Sequence, residues 1–341
     1  MAKITLNKNN FFNNLDIIAE HTKTKDKIAL VLKDNAYGHG LVEVATMARE
    51  YGIKRGVVKS QKEAEQIEHL LEYILVLAEI PEKKSETIRY TINDLSSIKK
   101  FPHATKVELK VDSGMHRNGV APSELKEAFS MIKEQGLILE ALFTHHRSAD
   151  ELSGAWFWQN DTFQKAKEEA KALAQEFGFG ALRFHSANSA SLFRHVEFSE
   201  DMARVGIAAY GCMELSSAFT PVKEKKFKPV LSLYAKKLSS RTVKKGERVG
   251  YGGTFEARED CVVSNYDFGY GAGFLRISSN NYTTPHDKEL AGRISMDNSS
   301  FVCQEEEILI FEDASVMAKA AQTISYEVLT SLKADIKREI F

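Results

Sequence analysis

Cysteine is scarce in this chain of 341 residues: Cys212, Cys261 and Cys303 are odd in number and far apart. No C-x-x-C spacing occurs, so neither a zinc knuckle nor a dithiol redox centre is indicated, and a reducing, cytoplasmic compartment is expected. Only 6 prolines interrupt the chain and no polar low-complexity run is found, which argues against disorder. The longest apolar runs, such as Ile74-Leu75-Val76-Leu77-Ala78, fall far short of the ~20 residues of a membrane span. The opening Met1-Ala2-Lys3-Ile4-Thr5-Leu6 has no apolar h-region, so no secretory leader and no membrane partner is expected. An excess of one charge is also missing: 46 Lys+Arg face 47 Asp+Glu, for a net charge of −1. That balance argues against a nucleic-acid partner, whose binding face is usually basic. No His-x-His stands on an early strand, so the metal-hydrolase pattern is lacking and no metal is expected.

What is present is alternation. Short apolar runs at 28–33, 56–58, 73–77, 88–92, 107–111, 138–143, 182–185 and 204–207 read as strands, with amphipathic stretches between most of them. The stretch 161–177, rich in Ala, Lys and Glu and closed by Gly178, is the clearest helix. Eight strands with intervening helices predict an N-terminal (β/α)8 barrel of the TIM type, with an open doubly wound sheet as the rival. After about residue 221 the texture becomes β-rich, with strands expected at 230–235, 262–268, 292–302 and 308–311, and helical periodicity returning only at 314–332. The expected division is a barrel over 8–221 and a mainly β domain over 222–341. Pattern alone leaves open whether the strand Ile4-Thr5-Leu6 joins the barrel or the β domain.

A barrel gathers functional residues where its strands end. The first strand runs into Lys33, a candidate Schiff-base amine, followed by Tyr37 with two flexible glycines, Gly38 and Gly40, close after it. On the fifth, alternation turns Val107, Leu109 and Val111 outward to the helices and Glu108, Lys110 and Asp112 inward, where charges need partners. The sixth ends at His145 and His146. The seventh leads to Asn188 and Ser189, with Ser189 a plausible helix N-cap at an anion-binding helix start. The eighth carries Arg204, Gly206 and Ile207, in the region where barrels commonly bind phosphate. A lysine at strand one and a phosphate cradle at strands seven and eight point to pyridoxal 5'-phosphate as cofactor.

Val31-Leu32-Lys33-Asp34-Asn35-Ala36-Tyr37-Gly38-His39-Gly40 resembles the cofactor-lysine signature of the alanine racemases. The resemblance continues in order through 109–117, 143–145, 185–189, 202–207, Val249-Gly250-Tyr251-Gly252 and 292–297, covering nearly the whole chain. It implies a pyridoxal-phosphate barrel with a C-terminal β domain, residues 1–7 included, that completes the active site of the other subunit of a head-to-tail homodimer. It implies interconversion of L- and D-alanine by two bases, for cell-wall peptidoglycan: Lys33 on the D-face and Tyr251, from the other subunit, on the L-face.

By the same resemblance, Tyr37, Ser189 and the Gly206 and Ile207 backbone touch the phosphate with Asn188 as neighbour. His145 stacks on the cofactor ring, and Arg204 faces the pyridine nitrogen. Arg117 and the Met296 backbone take the substrate carboxylate, and Lys110 is the lysine often carbamylated to orient Arg117. A protonated arginine at the ring nitrogen weakens the electron sink, which disfavours transamination. It also argues against the decarboxylases of this fold, which place a carboxylate there.

Two departures stand out. The family's Gly-Tyr-Ala-Asp-Gly run appears as Gly269-Tyr270-Gly271-Ala272-Gly273, and Ala334 stands where a tyrosine usually narrows the substrate pocket. The second predicts broader specificity, with measurable serine turnover.

Overall fold

The computed structural model describes residues 1–194, 197–213 and 226–341. Eight short parallel strands form the first layer: β2 (Ile28–Val31), β3 (Arg55–Val58), β4 (Tyr73–Val76), β5 (Ile88–Ile92), β6 (Lys106–Lys110), β7 (Ile138–Phe143), β8 (Arg183–His185) and β9 (Ala203–Val205). They pair in sequence order, and β2 returns to pair with β9, Leu30 opposite Val205. Between β8 and β9 the ladder is interrupted but spanned by Asp201 N–H to the Phe184 carbonyl (3.2 Å) and Arg204 N–H to the Ala187 carbonyl (2.9 Å). The sheet is therefore a nearly closed barrel, and the open doubly wound alternative is discarded.

Binary pattern explains the strands. Ile74, Leu75 and Val76 are fully buried, as expected of parallel strands covered on both faces. On β6, Val107 and Leu109 are buried in the apolar core, while the intervening Glu108 and Lys110 are also withdrawn from solvent. Asp112 departs from the expected inward position. It lies beyond the strand, where its carboxylate accepts the backbone N–H groups of Gly114, Met115 and His116. The helix expected at 161–177 begins earlier, at Ala155, and ends at Phe177 with Gly178 as a left-handed cap at φ 70°.

The second layer contains β1 (Lys3–Leu6), β10 (Leu231–Val243), β13 (Cys261–Tyr266), β14 (Ser299–Val302), β15 (Glu307–Phe311) and β16 (Lys337–Ile340), beside a small ribbon of β11 (Arg248–Val249) and β12 (Phe255–Glu256). The question left open by pattern is settled here: β1 pairs antiparallel with β10 and parallel with β16, so it belongs to the β domain. The expected domain boundary at 221–222 lies outside the described residues.

Two sequence expectations need correction. The strand expected over 292–302 is confined to Ser299–Val302, because the preceding segment is a turn held by Ser295 N–H to the Asn298 carbonyl (2.9 Å) and by Gly271 N–H to the Met296 carbonyl (2.7 Å). The single helical stretch at 314–332 divides into Ala314–Ala320 and Ser325–Ser331, because Gln322 takes a left-handed φ of 52° and Thr323 N–H closes back on the Ala318 carbonyl (2.9 Å). No helix among the described residues is long and apolar enough to cross a membrane.

Candidate active site

The residues singled out from the barrel sequence lie after or at the C-terminal ends of its strands. Lys33 follows β2 after one residue, Leu32, and its Nζ sits 3.0 Å from Asp34. From Asp34 to Tyr37 four consecutive non-glycine residues take left-handed conformations, φ between 48° and 57°, before Gly38 at 75°. Such residues cost roughly 1–2 kcal/mol each. The turn is held from several sides. Asp34 N–H donates to Glu63 (2.7 Å), Leu41 N–H donates to the Asn35 side chain (2.8 Å), and Arg338 of the β domain donates twice to the Gly38 carbonyl, at 2.8 and 3.1 Å. Gly38 is required for the docking, since a Cβ there would meet the Leu329 carbonyl oxygen at 2.0 Å. The unusual backbone brings the Tyr37 ring back to the barrel mouth.

There Tyr37 lies over Gly206. A Cβ on Gly206 would stand 3.0 Å from the Tyr37 hydroxyl oxygen, so glycine leaves the only clearance. Ser189 Oγ accepts the N–H groups of Gly206 (3.1 Å) and Ala208 (3.3 Å). Ile207 follows in the same buried turn. Ser189, Gly206 and Tyr37 thus converge on one point, a hydroxyl, a phenol and a bare stretch of backbone. Burial, together with the neighbouring Tyr326 and Asp34, raises the Tyr37 hydroxyl above the ordinary phenol range and keeps it a donor. The N-cap is Asn188, not Ser189: its side chain accepts Ser191 N–H (2.8 Å) and its own N–H donates to Ser191 Oγ (2.8 Å). Ser189 is thereby free to serve the mouth.

Arg204 is buried below this cradle. Its Nη1 donates to His185 Nδ1 (2.5 Å) and the His185 carbonyl, and its Nη2 to the carbonyls of Thr144 (2.6 Å) and Ser186. Its Nε–H has no hydrogen-bond partner among the described residues. Burial lowers the guanidinium to about 10, still protonated at neutral pH.

Because arginine only donates, His185 Nδ1 must accept, and Nε2–H then points to Glu108 at 2.9 Å. Burial holds His185 below the ordinary histidine range, so the ring is neutral. Burial opposes ionisation of Glu108, yet His185, Arg183 and Tyr73 outweigh it and hold the carboxyl down at about 2. Phe143 stacks on His185 at 4.8 Å and places its ring under the Arg204 guanidinium.

Lys110, at the end of β6, is pushed down to about 8, first by burial and then by Arg117 and Arg204. The same surroundings, burial first and then Arg204, Lys110 and Arg117, hold His145 well below the ordinary histidine range. The mouth is therefore a concentration of positive charge, with Arg117 at its exposed edge.

Tyr251 and Met296 are not brought to this mouth by their own chain. Tyr251 sits in a glycine turn between β11 and β12, 66% exposed and without a hydrogen bond among the described residues. Met296 is also exposed, its carbonyl accepting Gly271 N–H. Ala334 is exposed, with its carbonyl held by Arg338 (2.9 Å). Sequence reasoning missed Tyr326, whose ring packs 5.6 Å from that of Tyr37, and the anchoring role of Arg338. Neither follows a barrel strand, so the strand-end rule that found the others passes over them.

Comparison with known proteins decides the family. Residues 6–214 match the alanine racemase N-terminal domain, and residues 230–340 the alanine racemase C-terminal domain. The chain belongs to the alanine racemase family. It is 43% identical over 338 residues to the alanine racemase of Nitratiruptor sp., covering 99% of each chain, and 41% identical over 343 residues to that of Campylobacter curvus, again covering 99% of each. Among solved structures, an alanine racemase of Clostridium difficile superposes with a TM-score of 0.87 at 25% identity, covering 100% of this chain and 95% of that one. A histidine racemase of Leuconostoc mesenteroides shares the fold, with a TM-score of 0.84 at 23% identity and coverage of 100% and 98%. The racemase family thus accounts for both layers of the fold, the barrel and the β domain.

Proposed function

We infer that this family member is a pyridoxal-phosphate-dependent racemase that interconverts L- and D-alanine in the cytoplasm as a homodimer, supplying D-alanine for peptidoglycan. The observation that carries the reading is the convergence of Tyr37, Ser189 and the Gly206 backbone beside a fixed arginine at one barrel mouth. Gly206, where a Cβ would strike Tyr37, and Ser189 fit a phosphate group, with Tyr37 and the Gly206 and Ile207 backbone as its other contacts and Asn188 fixing the turn. Arg204 offers its unpartnered Nε–H to an acceptor such as a pyridine nitrogen, and Lys33 is the amine that would hold the cofactor covalently. When bound, the cofactor supplies an electron-withdrawing ring that acidifies the Cα–H of the amino acid.

The chain's own residues do the rest. Arg204 keeps its proton, so it donates a hydrogen bond without transferring charge, limits the electron withdrawal and favours prompt return of the Cα proton over transamination. Lys33 Nζ exchanges the proton on the D-face. On the L-face the exchange falls to Tyr251 of a second copy, whose exposed turn is free to reach another barrel. A phenol is a poor base at its ordinary pKa of about 10. Neutral His145 presents an acceptor nitrogen at this mouth toward an incoming phenol O–H. Arg117 and the Met296 carbonyl region bind the substrate carboxylate end. Lys110 at about 8 has a substantial neutral fraction, which is the form that adds CO2. The resulting carbamate supplies the anion that this cationic cluster lacks and orients Arg117.

Deuterium exchange at Cα in D2O, followed separately from L- and D-alanine, tests the reading. Lys33→Ala should abolish exchange from D-alanine, and Tyr251→Phe should abolish it from L-alanine while leaving the other. Equal loss from both enantiomers in Tyr251→Phe would refute the two-face assignment.

A further inference from the structure

The barrel has a second mouth, at the N-terminal ends of its strands, that the racemase reading does not use. An open cavity of about 440 Å³ lies there, lined by Arg55, Arg89 and Arg183, with Tyr73 at its floor and Asp26, Lys54 and Glu72 around it. The three guanidinium carbons surround the Tyr73 ring, at 5.9, 4.9 and 5.2 Å from its centroid. Three cations held this close repel one another unless anions separate them.

The anions beneath them are already committed. Glu140 takes Arg89 Nε (2.9 Å) and Arg183 Nη2 (2.9 Å). Glu108 takes Arg183 Nη2, Tyr73 Oη and His185. Lys54 and Glu72 pair with each other at 3.7 Å, and Asp26 is exposed without an ion pair among the described residues. Arg55 therefore has no carboxylate partner among the described residues. Its Nη1 is shielded from solvent and makes no hydrogen bond, and Arg183 Nε is in the same condition. Those two atoms are closed off from the cavity; what the cavity meets is the Arg55 charge, which no described carboxylate offsets and which an anion in the cavity would offset.

We propose that this mouth is a binding site for a phosphate group, carried by inorganic phosphate or by a small phosphate monoester, held by Arg55 and Arg183 and screened by Arg89. A tetrahedral oxyanion supplies several acceptor oxygens to guanidinium forks approaching from different strands, where a planar carboxylate supplies two. The volume leaves room for an ester substituent beyond the phosphate. The site is at the opposite end of the barrel from the Tyr37–Ser189–Gly206 cradle and needs nothing from the racemase chemistry.

Isothermal titration of the purified enzyme, cofactor bound, with inorganic phosphate in low-salt buffer tests it. One saturable site per chain is expected, in the millimolar range. Arg55→Gln should weaken binding by about tenfold or more, Arg55→Lys should weaken it less, and Tyr37→Phe at the other mouth should leave it unchanged. Asp26→Asn should tighten binding by removing a competing anion. Absence of a saturable site, unchanged affinity in Arg55→Gln with a normal melting temperature, or loss on Tyr37→Phe alone would each overturn the proposal. Glycerol phosphate in place of inorganic phosphate distinguishes the two sources: tighter binding of the ester assigns the remaining volume to its substituent.

Discussion

Replacing Glu108 by glutamine asks whether the buried polar chain beneath the active site is held by charge or by shape. Glu108 Oε1 accepts from Tyr73 Oη (2.5 Å) and Arg183 Nη2 (2.9 Å), while Oε2 accepts from His185 Nε2 (2.9 Å). A carboxylate accepts at both oxygens, whereas an amide offers one accepting oxygen and one donating NH2. With its oxygen toward Tyr73 and Arg183, the glutamine NH2 meets the His185 N–H. Reversed, it meets two donors. His185 cannot switch tautomer to relieve this, because its Nδ1 already faces the Arg204 guanidinium.

The depression of the carboxyl from 4.5 to about 2 corresponds to at most about 3.5 kcal/mol at roughly 1.4 kcal/mol per unit, less the coulombic share of His185, which is neutral here. Removing one partner of a buried ion pair costs about 3–5 kcal/mol, the same order. Since the folded pKa is below the unfolded one, this stability is present above about pH 4.5 and is lost as pH falls toward about 2. Urea unfolding can be read by Trp156 and Trp158, the chain's 2 tryptophans, both in the barrel. Glu108→Gln should lower barrel stability by about 3 kcal/mol at neutral pH, and the gap should shrink to roughly half near pH 3. A gap under about 1 kcal/mol at neutral pH, or one independent of pH, would refute the reasoning.

Three further expectations follow from the same geometry. Gly206→Ala has an ordinary backbone but drives a Cβ to 3.0 Å from Tyr37, which is packed against Tyr210 and Tyr326. Overpacking of about 1–3 kcal/mol should appear as a fall of about tenfold or more in pyridoxal-phosphate affinity, measured by fluorescence, and unchanged affinity would remove Tyr37 from the cradle. Carbamylation of Lys110, read by 13C NMR with labelled bicarbonate, should rise as pH climbs through about 8, and Lys110→Ala should raise the KM for alanine by about tenfold. With Ala334 the enzyme should turn over serine as well as alanine, and Ala334→Tyr should cut the serine-to-alanine ratio by about tenfold, in a chiral assay that would count against the assignment if serine turnover were absent.

Much of the candidate site was legible because a parallel barrel converts chain order into position. Lys33, Lys110, His145, Ser189 and Arg204 each follow or end an apolar run, and strand-end logic selects them without any contact information. The inward face of β6 was legible in the same way, since alternation alone assigned Glu108 and Lys110 to the interior. Asp112 defeated the rule because a turn competed successfully for its carboxylate, and Asn188 took the cap from Ser189 through a reciprocal pair with Ser191.

The sequence by itself determined the alternating barrel, the β-rich second domain and the family, because each is written in local periodicity or in contiguous motifs. Tertiary structure alone decided what holds those motifs in working geometry. Arg338 is about 300 residues from Gly38, yet it anchors the left-handed turn that aims Tyr37. Arg204 owes its fixed orientation to His185, and His185 to Glu108 on another strand. The three arginines at the far mouth are the first or second residues of separate strands and converge only when the barrel closes. Hydrogen bonds and charges act through space over a few ångströms, so partners distant in the chain leave no period or spacing by which to find them.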